Sequence, residues 1–238
     1  MNKNRLYILL PLRCIIFLLI FVIVTAVTKK RLNEISSIWS VAASAVNIAV
    51  ILLLVFVAKK KCGSFAKLIN YEKGKTKPKQ IAVMILLVVI AAMGGMYLAG
   101  FVCYGVFPYA PPEMIAPISL PLAIVNMVLL PVSTALAEDG LYLGCGVNQI
   151  KDKYAAVFVP AFFFALQHCF IPTLPDAKYI VYRFLCFLPL TIILCIIYRK
   201  NRNPLPIMIG HAVIDLATAA QILATSAIPG LYETMCAI

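Results

Sequence analysis

The chain has 238 residues, of which 63% are hydrophobic and 13% are charged, and its mean hydropathy is +0.98. This balance excludes a water-soluble, fibrous or disordered protein. A helix needs about 20 apolar residues to cross a bilayer, so the chain has room for about seven spans with short connections. The net charge of +12 could indicate a nucleic-acid partner, but in a membrane protein basic cytoplasmic loops explain it more simply. We therefore expect an all-α, polytopic transmembrane helical bundle of about seven or eight spans.

Apolar runs bounded by charge, Pro or Gly predict seven helices. The first run has a basic start but no small-residue cleavage site before Lys29, which indicates a retained span. The fourth run is too long for one straight span, and Pro131 and Gly140 interrupt it where freed backbone groups can face protein or a wet cavity. The predicted helices cover residues 6–28, 38–58, 81–107, 114–147, 155–171, 179–198 and 205–228.

The connection over residues 59–80 is basic, with eight lysines and one acidic residue, Glu72. An excess of Lys and Arg predicts that this linker is cytoplasmic, and alternation of the later loops agrees with it. The exception is the basic run at residues 29–31, which lies outside if the first two apolar runs both span. A re-entrant first run is the alternative.

Of the nine acidic residues and two histidines, five lie inside apolar segments, where a charge costs roughly 2.5 kcal/mol or more and needs a partner or a cavity. Two are adjacent in the fourth predicted helix and one lies in the fifth. The last two are spaced i, i+4 in the seventh, so that they share one helix face. The five are Glu138, Asp139, His168, His211 and Asp215.

These residue types suit hydrolysis of an amide. A buried carboxylate beside an imidazole can act as a general base on water, and a second histidine with a helper carboxylate can donate hydrogen bonds to an oxyanion. The set Glu138, His168 and His211 would also suit zinc with one open position. Two other interpretations stay open on position alone: polar groups that hold helices together, and the proton relay of a small transporter.

The three patterns resemble those of the CPBP family, the CAAX proteases and bacteriocin-processing membrane proteins, also called Abi proteins. That family carries a Glu-Glu pair followed by Arg, then Phe-x-x-x-His, then His-x-x-x-Asn or His-x-x-x-Asp. Here Glu138 and Asp139 stand for the acidic pair, residues 164–168 match the second motif, and residues 211–215 match the third. The resemblance covers roughly residues 136–216.

The chain departs from the family pattern at the position of the family's arginine, which is Leu143. Its loss removes a charge partner for the acidic pair. The other basic residues inside apolar runs are Arg13 and Arg183, and we expect Arg183, near one face, to snorkel toward the headgroups.

The resemblance implies an intramembrane endopeptidase in which Glu138 and His168 activate water while His211 and Asp215 stabilise the oxyanion, with Asp139 completing the catalytic set. It implies a metal-free mechanism, with zinc as the alternative cofactor. The implied partners are membrane lipids and a membrane-associated peptide or protein substrate, not nucleic acid.

The predicted organisation is a single integral membrane domain over residues 1–238 with a catalytic core over residues 136–216. We expect a bacterial cell membrane protein whose pocket opens to the cytoplasmic side. A non-catalytic bacteriocin-immunity or scaffold protein on the same fold is the alternative function.

Overall fold

The fold is a bundle of long helices, and a computed structural model describes residues 3–109, 111–172 and 176–236 of it. Within these residues there are no strands. Six helices are long and apolar enough to cross a membrane, and a shorter apolar helix spans Ala155–Phe170. This confirms the predicted all-α polytopic bundle. We label the seven helices α1 (Leu12–Thr28), α2 (Trp39–Lys61), α3 (Pro78–Tyr104), α4 (Leu120–Val147), α5 (Ala155–Gln167), α6 (Ala177–Asn201) and α7 (Leu205–Ala227).

Short helical turns connect or extend the long helices. A 3₁₀ turn precedes α1, and another, His168–Phe170, continues α5. The remaining short elements are Leu32–Ile35, Ser36–Ile38, Phe65–Leu68, Pro112–Ile115 and Leu231–Cys236.

The basic linker is shorter than predicted because both flanking helices extend into it. Helix α2 continues through Lys61, and α3 begins at Pro78, so residues 62–77 connect them. Lysines in a last helical turn interact favourably with the helix dipole, and proline suits a first turn because no intrahelical partner is lost there.

The fourth helix is continuous, contrary to the predicted interruption at Pro131 and Gly140. It starts at Leu120 rather than at residue 114, is α-helical to Thr134, and continues as a π-helix over Ala135–Val147. A change of winding therefore takes the place of a break.

The bundle buries polar groups and exposes apolar ones. Leu52, Leu86, Ile90 and Val128 are each more than 60% exposed on the outside of the bundle, where lipid chains would contact them. Polar side chains face inward instead, which is the arrangement that a hydrocarbon solvent favours.

Hydrogen bonds between side chains join α2 to α4 inside the bundle. Asn126 donates to Ser40 over 2.8 Å, and Asn47 donates to Thr134 over 2.9 Å. Ser44 donates to Asn126 over 3.3 Å. These bonds fix the two helices in register and place Asn47 next to the π-helical part of α4.

Helix α1 packs against α2 and α5. Its preceding 3₁₀ turn contacts the π-helical part of α4, and α1 also contacts the turns at His168–Phe170 and Leu32–Ile35. The first apolar run, with its 3₁₀ and α-helical parts, is therefore long enough to cross a membrane, and residues 29–31 lie at the end of the bundle opposite the basic linker.

This topology predicts that Cys62 and Cys236 lie on opposite sides of the membrane. Cys62 is half-buried at the end of α2, and Cys236 is exposed beyond α7. In two variants that each keep one of these cysteines, a membrane-impermeant thiol reagent should label Cys62 only from the cytoplasm and Cys236 only from outside. Labelling of both from the same face would contradict the topology.

Candidate active site

The acidic pair lies in the π-helical part of α4. A π-helix closes i→i+5 hydrogen bonds and so turns less per residue than an α-helix. The wider turn lets the adjacent side chains of Glu138 and Asp139 both face the interior, where each is almost fully buried.

The two carboxylate oxygens of Glu138 have different surroundings. Oε1 accepts from Nη2 of Arg13 over 2.7 Å. Oε2 is buried with no hydrogen-bond partner among the described residues. It lies 3.7 Å from Nε2 of His168 and 3.7 Å from Nε2 of His211. These separations are too long for direct hydrogen bonds, and they leave room for a bridging atom between the three groups.

His168 is held in one orientation by its own helix. Its Nδ1 lies 2.8 Å from the carbonyl oxygen of Phe164, one turn earlier. A carbonyl oxygen can only accept, so Nδ1 carries the proton, and the Nε2 of the neutral ring is an acceptor that faces Glu138. The ring also stacks on Phe187, with 3.7 Å between centroids.

His211 lies among three carboxylates. Its Nδ1 is 3.5 Å from Oδ2 of Asp139, and its Nε2 is 3.7 Å from Oδ2 of Asp215 as well as from Glu138. Carboxylates accept hydrogen bonds, so a ring that donates from both nitrogens matches these neighbours. Asp215 is the least buried of the group, with 24% of its side chain exposed.

All five predicted site residues thus lie together. Their catalytic roles stay predictions, because proximity alone does not assign a chemical step.

Sequence reasoning missed Arg13 as a member of this site. Its guanidinium is buried and donates to Asn47 over 2.6 Å and to Gln167 over 2.5 Å, besides the bond to Glu138. Tyr142 donates to the same Gln167 oxygen over 3.0 Å. In the sequence, Arg13 stands out as a lone arginine within the first apolar run. No neighbouring residue indicates that Glu138 is its partner.

Leu143, the position of the family's arginine, is fully buried in the main apolar cluster. Arg13 therefore supplies from α1 the positive charge that α4 lacks.

Arg183 does not snorkel as predicted. It is only 5% exposed, and its Nε donates to the carbonyl oxygen of His168 over 3.3 Å. Its guanidinium carbon lies 4.8 Å from the centre of the Phe187 ring. Packing between α5 and α6 directs this side chain inward.

A cavity adjoins the site and extends toward the end of the bundle opposite the basic linker. Its wall includes the converging acid and histidines and continues to Trp39, Met114, Ile171 and Arg183. Trp39 begins α2, Met114 precedes α4, and Ile171 follows α5, so these residues mark that opposite end.

The linker packs against α4 and α6 at the other end of the bundle, and the predicted cytoplasmic opening of the pocket stays a prediction. A Cβ atom at Gly140 would lie 2.9 Å from the Phe65 ring, so the bare backbone of Gly140 allows close packing there. Asn148 donates to the carbonyl of Leu68 over 2.7 Å, and Tyr198 donates to the carbonyl of Ile69 over 2.8 Å.

The predicted zinc ligands were Glu138, His168 and His211. Across the described ranges, no group of three or more His, Cys, Asp and Glu side chains is arranged to hold a metal ion. The Arg13 guanidinium also places a positive charge where a divalent cation would be repelled. We derive no step through zinc, and both the metal-free mechanism and its zinc alternative stay predictions.

Part of the chain matches a family model. Residues 120–217 match the Rce1-like family, type II CAAX prenyl endopeptidase Rce1-like. The match confirms the predicted resemblance to the CPBP family. No curated protein and no solved structure matches the chain. The Rce1-like segment contains all five predicted site residues, whereas Arg13 and the whole of α1 lie outside it.

Replacing Arg13 should destabilise the protein through Glu138. Removing one partner of a buried ion pair leaves an uncompensated charge, so Arg13→Met should lower the free energy of unfolding by about 3–5 kcal/mol. Unfolding in detergent measures this. The double variant Arg13→Met/Glu138→Met should lose less than the sum of the two single changes. Lys178→Met, at an exposed position, is the control and should have little effect. Additive effects would show that the pair is not coupled.

Leu143→Arg should be harmful even though it restores the family's residue. Leu143 is fully buried among apolar side chains, and Arg13 already neutralises Glu138. A second guanidinium there would be buried without an acceptor. We expect reduced yield of folded protein and a lower melting temperature, with Leu143→Met as the volume-matched control. A stable and more active Leu143→Arg variant would refute this.

Proposed function

We propose that the chain is an intramembrane endopeptidase of the CPBP type, which hydrolyses a peptide bond of a membrane-associated protein or peptide. The observation that supports this is the environment of Glu138 Oε2. That oxygen is buried without a hydrogen-bond partner among the described residues, and it lies 3.7 Å from Nε2 of His168 and from Nε2 of His211. A water hydrogen-bonded to these groups would bridge all three.

In this proposal Glu138 and His168 activate the water. Both Oε2 and the unprotonated Nε2 of His168 are acceptors, so the water donates one proton to each and keeps a lone pair for attack. A bond forms between the water oxygen and the carbonyl carbon of the substrate, while one water proton passes to Glu138. The carbonyl oxygen becomes an oxyanion.

His211 stabilises that oxyanion by donating from Nε2, and Asp139 and Asp215 orient its ring. The carbon–nitrogen bond then breaks, and Glu138 returns its proton to the leaving amine nitrogen. The products are a carboxylic acid and an amine, so atoms and charges balance without any further reactant.

Arg13 supports this assignment against the scaffold alternative. The scaffold alternative would follow if the loss of the family's arginine at Leu143 left the acidic pair without a cation, but the ionised state that a general base needs is stabilised here by the Arg13 guanidinium 2.7 Å away. We propose a metal-free reaction in a bacterial cell membrane, with the basic linker in the cytoplasm.

Glu138→Gln should lower the rate of hydrolysis by about 10²-fold or more, because an amide keeps the shape of the side chain but cannot accept a proton. His168→Ala and His211→Ala should be comparably damaging, since His168 positions the water and His211 donates to the oxyanion, where one lost donor typically costs ~10²–10³ in rate. The neighbouring change Asp139→Asn is the matched control and, like Asp215→Asn, should be milder because an amide keeps part of the hydrogen bonding.

The measurement is cleavage of a prenylated CAAX peptide by purified protein in liposomes, with melting temperatures to confirm folding. Unchanged cleavage by Glu138→Gln would remove Glu138 as the base. If no substrate is cut and a cellular phenotype survives Glu138→Gln, the immunity or scaffold function is correct instead.

A further inference from the structure

A groove lies on the outside of the bundle where the linker ends of α3, α6 and α7 meet. One end of its wall is polar and includes Gln80 of α3 and Asn201 of α6. The other end is apolar and includes Val83 and Leu87 of α3. Leu87 lies two helical turns, or about 10 Å, beyond Gln80. The groove therefore runs from the level of the basic linker into the apolar level of the bundle.

Asn203 is the buried polar group of this groove. It lines the wall and is only 7% exposed. Its Oδ1 accepts from Oγ1 of Thr76 over 3.0 Å, which fixes the orientation of the amide. Its Nδ2 donates to no described residue. Buried polar groups in proteins normally have a hydrogen-bond partner, so the groove suits a ligand that brings an acceptor to this amide.

The polar end of the groove is surrounded by lysines. Lys77 and Lys79 lie at the start of α3, next to Gln80, and Lys200 lies at the end of α6. All three are exposed, and none forms an ion pair with a described residue. Their positive charges are therefore available to an anion at the polar end of the groove.

The acidic residues at this end of the bundle do not oppose those charges. Among the described residues they are Glu72 in the linker and Asp152 in the connection after α4. Glu72 pairs with Lys75 over 3.0 Å, and Asp152 accepts from the backbone N–H of Ala155 over 2.7 Å. The field at the polar end is positive, which favours an anionic ligand over a cationic one.

We propose that the groove binds one anionic phospholipid, with its phosphate at Asn203 and the lysines and an acyl chain along Val83 and Leu87. A phospholipid joins an anionic acceptor to an apolar chain, as the two ends of the groove do. Charge-assisted hydrogen bonds and burial of the chain both favour binding. Anionic lipids lie in the cytoplasmic leaflet, where we place the linker. The bound lipid contacts three helices and stabilises the start of α7, which carries His211.

The test measures lipid binding to the full chain in detergent by native mass spectrometry. Phosphatidylglycerol and phosphatidylcholine with identical acyl chains are compared. The wild type should bind one phosphatidylglycerol about 10-fold or more tightly than phosphatidylcholine, because several lysines contribute to the attraction. Phosphatidylglycerol should also raise the melting temperature more than phosphatidylcholine does, since it binds the folded state.

Two variants test the two ends of the groove separately. Asn203→Asp keeps an acceptor for Thr76 but replaces the amide donor with a negative charge. It should weaken phosphatidylglycerol binding by about 10- to 100-fold, the range for a lost hydrogen bond to a charged group. Val83 is 55% exposed, so Val83→Trp should fold, fill the apolar end and weaken the binding of both lipids.

A pair of double variants tests the charge. Lys77→Gln/Lys79→Gln should lower the preference for phosphatidylglycerol over phosphatidylcholine. Lys59→Gln/Lys60→Gln is the matched control, because it removes two exposed lysines from the end of α2, which contributes nothing to the groove wall. It should leave the preference unchanged.

Three results would each overturn the lipid site. They are equal binding of the two lipids by the wild type, phosphatidylglycerol binding by Asn203→Asp or Val83→Trp as tight as that of the wild type, and an equal loss of preference in the two lysine double variants. Displacement of the lipid by glycerol 3-phosphate at the same concentration would assign the polar end to a soluble phosphate instead. None of these measurements involves peptide cleavage, so the lipid site and the proposed endopeptidase function can each fail alone.

Discussion

The site depends on one buried ion pair, between Arg13 of α1 and Glu138 of α4, at 2.7 Å. A carboxylate in the apolar interior of a helical bundle requires a compensating charge. The pair uses only one oxygen of Glu138, so the two oxygens of this carboxylate have different neighbours. Oε1 is anchored, and Oε2 remains directed at the two histidines.

This arrangement is stable because the guanidinium is itself held from several helices. Asn47 of α2 and Gln167 of α5 accept its remaining hydrogen bonds, and Asn47 is in turn bonded to α4. The planar, five-donor geometry of arginine allows one side chain to join four helices. The packing of α1, α2, α4 and α5 and the orientation of Glu138 are therefore parts of the same arrangement.

The sequence predicted what depends on local geometry. The i, i+4 spacing of residues 164–168 and of residues 211–215 fixes which side chains share a helix face, and the structure keeps both relations. It did not predict the partner of Glu138, which lies 125 positions away in the chain, because that contact depends on how α1 packs. The inward direction of Arg183 and the packing of the linker against α4 and α6 are also set by tertiary contacts.

The match to the Rce1-like family begins at the start of α4 and ends within α7. It therefore does not include Arg13, the ion-pair partner of Glu138. What the buried carboxylate requires is a positive charge at hydrogen-bond distance, and the interaction depends on distance and surroundings rather than on position in the chain. An arginine on a neighbouring helix can therefore replace one on the same helix, provided that its helix is fixed. Here α1 meets that condition through Asn47 and Gln167, which makes the first span a part of the site and not merely an anchor.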